Sequence, residues 1–460
     1  MARLFKPRIF KAQAGKRPSS ESTPSDLTIE DLSHDGRGVA RHEGKTVFVA
    51  GALPGEKVQV AHYRRQKRFS ECESRNISQL SADRVEPLCP HYEACGGCQL
   101  QHLSPEKQLY FKQQNLLSLL KRQQEVDVGK VLEPIFSSPY GYRSRVRLGV
   151  DAQQRLAFRE QHSDKLVPIG ECSVLQPSLA AVLPQLQAWL DSLPPKSGVS
   201  HIELVAGYEL SGEVVTGVII RHVKPLSDAF KQDVSAVTTP QGVFKCWFQS
   251  EKNGALQGLT GAIVDPRMYF ELGEDSSLQK PIRLGFHPQD FTQVNAQVNP
   301  LMVRQALTWL ELSSSDRVVD LFCGIGNFTL PMALSASKVI GIEGVESMVV
   351  RGQENGAQND LQNSTFLALD LNSQALGALM RREKVNKLLL DPPRAGAKFV
   401  CEQMAESEVE RLVYVSCNPA SFARDAAILV GVGYKLTELR VLDMFPQTAH
   451  METMALFVRV

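Results

Sequence analysis

Arg317-Val318-Val319-Asp320-Leu321-Phe322-Cys323-Gly324-Ile325-Gly326-Asn327-Phe328-Thr329 reads as a buried strand, a glycine turn and the first turn of a helix. The next apolar run, Val339-Ile340-Gly341-Ile342-Glu343, is a second strand that ends in an acid. An acid there suits ribose hydroxyls. A lone Gly-x-Gly also fits a tight turn in any α/β protein. The third glycine of a dinucleotide loop falls at Thr329, so close approach to a pyrophosphate is disfavoured. An adenosyl cofactor without pyrophosphate, such as S-adenosylmethionine, fits better. Asp370 and Asp391 close the third and fourth strands. From Phe291 onward helices and apolar strands alternate, which signals a doubly wound α/β domain.

Downstream, Leu412-Val413-Tyr414-Val415-Ser416-Cys417-Asn418-Pro419 is an apolar strand that ends in a thiol and a turn. Asn418-Pro419 stops the strand directly after Cys417, so the thiol belongs at the sheet edge, where open α/β sheets bind ligands. A cysteine after a buried strand is otherwise an ordinary core thiol. Glu452 lies between a turn rich in aromatic residues and proline and the strand Met454-Ala455-Leu456-Phe457-Val458. His450 is the competing base, because histidine titrates near neutrality. A thiol paired with a base points to covalent chemistry.

Upstream the chain changes character. Residues 1–22 carry Lys6, Arg8, Lys11, Lys16 and Arg17 and read as a disordered basic tail, a pattern that a transit peptide shares. Residues 23–80 alternate short apolar runs with Asp35-Gly36 and Pro54-Gly55 turns, the pattern of a small β-barrel. His62-Tyr63-Arg64-Arg65-Gln66-Lys67-Arg68-Phe69 mixes cations for phosphates with aromatics for bases. Residues 81–290 read as a β-rich central domain. It contains a helix over about 104–122, placed to pack on the C-terminal domain at 291–460. In Tyr142-Arg143-Ser144-Arg145-Val146-Arg147 three arginines alternate, and a strand would put them on one face toward RNA or solvent.

With 460 residues, two to four domains are expected; 43% hydrophobic and 22% charged residues are ordinary for a globular chain, and a net charge of +1 excludes nothing. No apolar run is long enough to span a bilayer, which fits a cytoplasmic protein. Nine cysteines without a signal-peptide core argue against a disulfide framework. Cys89, Cys95 and Cys98 are close enough to bind zinc or an iron–sulfur cluster, since thiolates serve both. Cys72, Cys246, Cys323 and Cys401 read as buried free thiols.

Asp391-Pro392-Pro393-Arg394-Ala395-Gly396, Tyr414-Val415-Ser416-Cys417-Asn418-Pro419 and Leu442-Asp443-Met444-Phe445-Pro446-Gln447-Thr448-Ala449-His450-Met451-Glu452 resemble the signatures of the RNA uracil-C5 methyltransferases. The glycine loop and Phe291-Thr292-Gln293-Val294-Asn295 fit the same pattern. The resemblance implies Cys417 as nucleophile and Glu452 as general base. It also implies a cofactor site of Gln293, Phe322, Asn327, Glu343, Asp370 and Asp391 for S-adenosylmethionine; Asp370 stands where the family carries an amide. The barrel resembles a TRAM domain of oligonucleotide-binding type. Cys89, Cys95, Cys98 and the remote Cys172 resemble a [4Fe-4S] ligand set. That combination is similar to the branch that methylates uridine 1939 of 23S rRNA, the expected partner, with no membrane and no obligate protein partner. Another 23S or tRNA uridine, a non-catalytic ribosome-assembly factor and a DNA cytosine-C5 methyltransferase are the competing functions. Target flipping is expected, because a stacked base cannot reach thiol and methyl donor together.

Overall fold

The computed structural model describes residues 23–460 apart from 124–125, 162, 241, 251–253, 261, 263–264, 274–275, 277, 372 and 374. The expected basic tail lies outside the described residues. Two compact units are present. One contains residues up to Asn115 with Phe158–Ile169 and Phe445–His450. The other contains Leu116–Ala157, Gly170–Met444 and Met451–Val460.

The first unit holds a six-stranded sheet. Its strands are Asp26–Thr28, Asp31–Leu32, Gly38–His42, Lys45–Ala50, Lys57–Arg65 and Phe69–Gln79. Ile29 N donates to Glu56 O at 2.9 Å and Glu30 N to Val39 O at 2.7 Å, so one short segment bonds to both ends of the sheet and curls it. Leu27, Ile29, Val47, Val49, Val58 and Cys72 fill its interior. Along Gly38–His42 and Lys45–Ala50 the buried residues alternate, as the two-residue period requires. The helix Pro105–Lys121 begins at a proline, whose missing N–H is harmless in the first turn.

In the second unit, Val199–Tyr208 pairs antiparallel with both Arg145–Val150 and Val214–His222, and Val243–Gln249 extends the sheet in parallel. A second sheet carries, in spatial order, Ser364–Ala368, Lys338–Glu343, Arg317–Leu321, Lys387–Leu390, Arg411–Ser416, Glu452–Arg459, Tyr434–Leu442 and Lys130–Val131. The first five strands are mutually parallel; Glu452–Arg459 runs antiparallel to its neighbours. Parallel strands covered on both faces are apolar throughout, and Lys387–Leu390 and Arg411–Ser416 are buried along nearly their whole length. Leu116 and Leu120 pack into this core beside Leu388, Tyr414 and Phe457. Strand order reverses between Arg317–Leu321 and Lys387–Leu390, the switch point at which such sheets open a ligand crevice.

Candidate active site

Two features of the sheet bring the sequence-predicted catalytic pair together. Cys417 follows the carboxyl end of Arg411–Ser416, and Asn418 caps the next helix, Pro419–Gly431, by accepting from Ala420 N at 3.1 Å. An extended cap residue before a proline turns the chain sharply, which leaves the thiol half-buried at the edge. The antiparallel register then pairs Ser416 with Thr453. Cys417 and Glu452 are the next residues outward on the two strands, and the charge of Glu452 acts on the thiol. Glu452 is 4% exposed, and His450 is exposed.

Burial dominates the electrostatics. It pushes the Cys417 thiol up to about 11, with Glu452 and Asp391 adding to the rise and Arg394 opposing it. Burial also holds the Glu452 carboxyl well above the usual carboxylate range, reinforced by Asp391. Asp391 itself, partly accessible but surrounded by protein, is pushed up to about 7 by desolvation. Without ligand, the site therefore favours neutral forms, because a buried anion lacks water and faces other acids. Asp320 follows the same rule. Burial raises it to about 8, although Thr329 Oγ1 donates to its Oδ2 at 2.6 Å.

Around the glycine loop, Phe322 adopts φ of 63° and Gly326 φ of 102°. A phenylalanine in the left-handed region is strained, and such strain collects at ligand sites. A methyl at Gly326 would meet Phe366 Cζ at 2.9 Å, so the turn admits only glycine without adjustment. Glu343 braces the loop: its Oε2 accepts from Gly324 N at 3.1 Å, while Oε1 accepts from Gly344 N at 2.8 Å. Asn327 and Asn299 exchange side-chain amide bonds at 2.9 Å each way. Asp370 is exposed and sits two residues past Ser364–Ala368. Gln293 is half-buried, in a segment anchored by Asn295, whose Nδ2 donates to Ser137 Oγ at 2.9 Å. A cavity of about 500 Å³ opens beside the loop, lined by Phe322, Leu371, Pro393 and Ala397 among others.

Sequence reading missed several residues that hold this site. Asn299 engages Asn327, and Asn355 ties Ile325 O at 3.1 Å to Gly285. Asp425 is wholly buried on the helix after Cys417. A charge at a core-facing helical position, three residues from Phe422 and four from Leu429, was the available signal.

Other expectations fare differently. Arg145 does not present its guanidinium to a ligand face: its Nη2 donates to Pro288 O at 2.5 Å and its Nη1 bonds Asp290 O. Arg147 approaches Glu203 at 3.7 Å. On the curled sheet Arg64, Lys67 and Arg68 are exposed, and Phe69 packs edge-on against Phe48 at 5.5 Å. Cys72, Cys323 and Cys401 are buried, as core thiols should be; Cys246 is half-buried.

Cys89, Cys95 and Cys98 are half-buried. Their loop is tied by Cys95 N to His91 O at 2.8 Å and by Gly97 N to Cys95 Sγ at 3.3 Å. Gly96 passes so close to the 159–161 backbone that a methyl would lie 2.8 Å from Gln161 N. Among the described residues no three His, Cys, Asp or Glu side chains are gathered as a metal site. The thiol chemistry suits iron and sulfide, and the loop's own hydrogen bonds do not assemble the ligands. No helix among the described residues is long and apolar enough to cross a membrane.

Comparison with known proteins agrees with the fold. A family model described as tRNA (Uracil-5-)-methyltransferase matches residues 278–460, and a TRAM domain model matches residues 25–61. The chain is 40% identical over 443 residues to the 23S rRNA (uracil(1939)-C(5))-methyltransferase RlmD of Alkalilimnicola ehrlichii, covering 95% of this chain and 97% of that protein. It is 41% identical to the RlmD of Nitrosococcus oceani, covering 96% and 98%. The crystal structure of Pyrococcus abyssi tRNA (uracil-54, C5)-methyltransferase in complex with S-adenosyl-L-homocysteine has the same fold. Its TM-score is 0.71 at 22% identity, over 94% of this chain and all of that one.

Proposed function

The chain belongs to the RNA (uracil-C5) methyltransferase family, among the RlmD-type enzymes, and from that premise we propose that it methylates C5 of one uridine of 23S rRNA, position 1939, through a covalent adduct on Cys417. The observation that carries the reading is a buried Glu452, at the start of the strand paired beside the one that ends at the thiol, whose charge acts on that thiol.

C5 of uracil is a poor nucleophile. Cys417 as thiolate adds to C6, forming a C–S bond and moving the C5=C6 electron pair into an enolate. C5 would then attack the methyl carbon of S-adenosylmethionine, whose methyl–sulfur bond would break to leave S-adenosylhomocysteine. Glu452 as carboxylate takes the C5 proton. That electron pair re-forms C5=C6 and expels the Cys417 thiolate. When bound, S-adenosylmethionine supplies the electrophilic methyl and a positive charge, which favours the ionised forms of nearby thiol and carboxylates. The proton affinity that keeps Glu452 neutral without ligand makes it a stronger base once ionised. Phe322, Glu343, Asp391, Gln293, Asn327 and Asp370 would hold the cofactor along the strand ends.

The curled sheet supplies RNA affinity, with Arg64, Lys67 and Arg68 toward phosphates. Cys89, Cys95 and Cys98, with Cys172, would hold a [4Fe-4S] cluster whose role is structural; no step of methyl transfer passes through it. The test of function is to supply the protein and labelled cofactor to 23S rRNA lacking uridine methylation and to map the label. Label at uridine 1939 supports the proposal. Label at another uridine moves the target, and no label overturns the activity.

A further inference from the structure

The loop that follows Asp391 is tied at three residues, Arg394, Ala395 and Ala397, to the helix that begins just after the thiol and to its cap. Asn418 Nδ2 donates to Arg394 O at 2.8 Å. Arg424 Nη2 donates to Ala395 O at 2.9 Å. Ala397 N donates to Asp425 Oδ2 at 2.7 Å. Between them, Gly396 has φ of 80°, and a methyl there would lie 2.4 Å from Asp425 Oδ2.

Asp425 is the hub. It is 0% exposed, and Oδ2 also accepts from Tyr414 Oη at 2.6 Å. Its Oδ1 accepts from Arg424 Nε at 2.8 Å. Tyr414 lies on the nucleophile strand, three residues before Cys417. One carboxylate therefore joins the strand carrying the thiol, the helix capped next to it and the loop carrying Asp391 and Arg394. Pro393, Ala395 and Ala397 of that loop line the 500 Å³ cavity with Phe322. A buried carboxylate with three donors is a rigid joint, because loss of any partner leaves a desolvated charge.

We propose that Asp425 is a positioning residue for methyl transfer, fixing the cofactor-side loop against the nucleophile so that thiol and methyl donor keep one separation. The inference rests on Cys417 acting as proposed above. A misplacement of about 1 Å between reacting groups costs on the order of 100-fold in rate.

The experiment measures the single-turnover rate of covalent capture on RNA bearing 5-fluorouridine at the target, where fluorine blocks the final elimination. Sites are counted by binding of S-adenosylhomocysteine, so that misfolded protein is excluded. Asp425→Ala should slow capture per competent site by about 100-fold and leave RNA affinity within twofold. Gly396→Ala should produce the same defect from the other side of the contact with Asp425 intact. Asp425→Asn keeps an acceptor for Ala397 N and should recover capture to within tenfold of wild type. If Asp425→Ala does not fold, Gly396→Ala carries the test. Wild-type capture rates per competent site in folded Asp425→Ala or Gly396→Ala would overturn the proposal, since a purely structural role changes only the number of sites. Failure of the unsubstituted protein to form any adduct would sink the role of Cys417 instead.

Discussion

Two groups of cysteines in this chain are built in opposite ways. Cys417 is placed by regular structure: a buried parallel strand ends at it, an asparagine cap turns the chain, and the strand opening at Glu452 pairs beside it. Cys89, Cys95 and Cys98 sit among turns, where Gly97 N donates to Cys95 Sγ. Under the roles proposed above, the difference has a physical reason. A nucleophile must be held in place before its substrate arrives, because preorganisation lowers the barrier. A metal ligand is drawn into place by the metal, so its loop need not be assembled beforehand.

The sharpest break of that comparison is Cys417→Ala. Methyl transfer should fall on the order of 10⁴-fold or below detection, and no covalent RNA complex should form. Cys95→Ala should lose iron measured by metal analysis, with a far smaller loss of methyl transfer per folded molecule. Equal loss of activity in both would erase the distinction between the two groups. Next comes Glu452→Gln, expected to slow turnover by about 10²–10⁴-fold while trapping the methylated adduct. Denaturing electrophoresis with labelled RNA would then show a stable protein–RNA band. No band together with full activity would move the base elsewhere, to His450 first.

A smaller effect tests how the Cys417 environment is tuned. The thiol sits at about 11, and Arg394 is the group that pulls it down. Arg394→Ala should therefore raise it further, shrink the thiolate fraction and slow alkylation of Cys417 by iodoacetamide at pH 8 by about 3–10-fold, as half to one pKa unit implies. Peptide-resolved mass spectrometry would read this, with the unsubstituted protein alkylated in parallel as the reference. Faster alkylation would contradict the electrostatic account.

The smallest effect concerns Asp391. Its folded value of about 7 exceeds the unfolded value of about 4. Between those pH values the folded state holds the extra proton, so stability is full below about pH 4 and falls as pH rises through about 7. Asp391→Asn removes that loss. Its Tm should exceed the wild type's by about 2–4 °C at pH 8, with the gap closing by pH 5, while binding of S-adenosylhomocysteine weakens. A gap that stays the same at both pH values would show that ionisation of Asp391 is not the cause.

Local pattern was enough for much of the fold. Arg317–Leu321, Lys338–Glu343 and Arg411–Ser416 are apolar runs closed by turn chemistry, and such runs read as buried strands from composition alone. Cys417 was legible because Asn418-Pro419 ends its strand. Arg145 was misjudged, because alternation predicts which face a side chain takes but not what already occupies that face. The carbonyls of Pro288 and Asp290 lie more than 140 residues away in sequence.

The sequence by itself determined the class of the sheet, the glycine loop and the types of residue that carry the chemistry, since these follow from period, turn preference and the reactivity of a thiol beside an acid. Only the tertiary structure decided that the strand opening at Glu452 pairs beside the strand that ends at Cys417, because strand register depends on pairing between distant segments. It alone decided that Asp320, Asp391 and Glu452 prefer their protons, because a carboxyl group shifts when water is removed from it. It also decided that Asp425 joins strand, helix and loop. No local pattern encodes burial at a point where three segments meet.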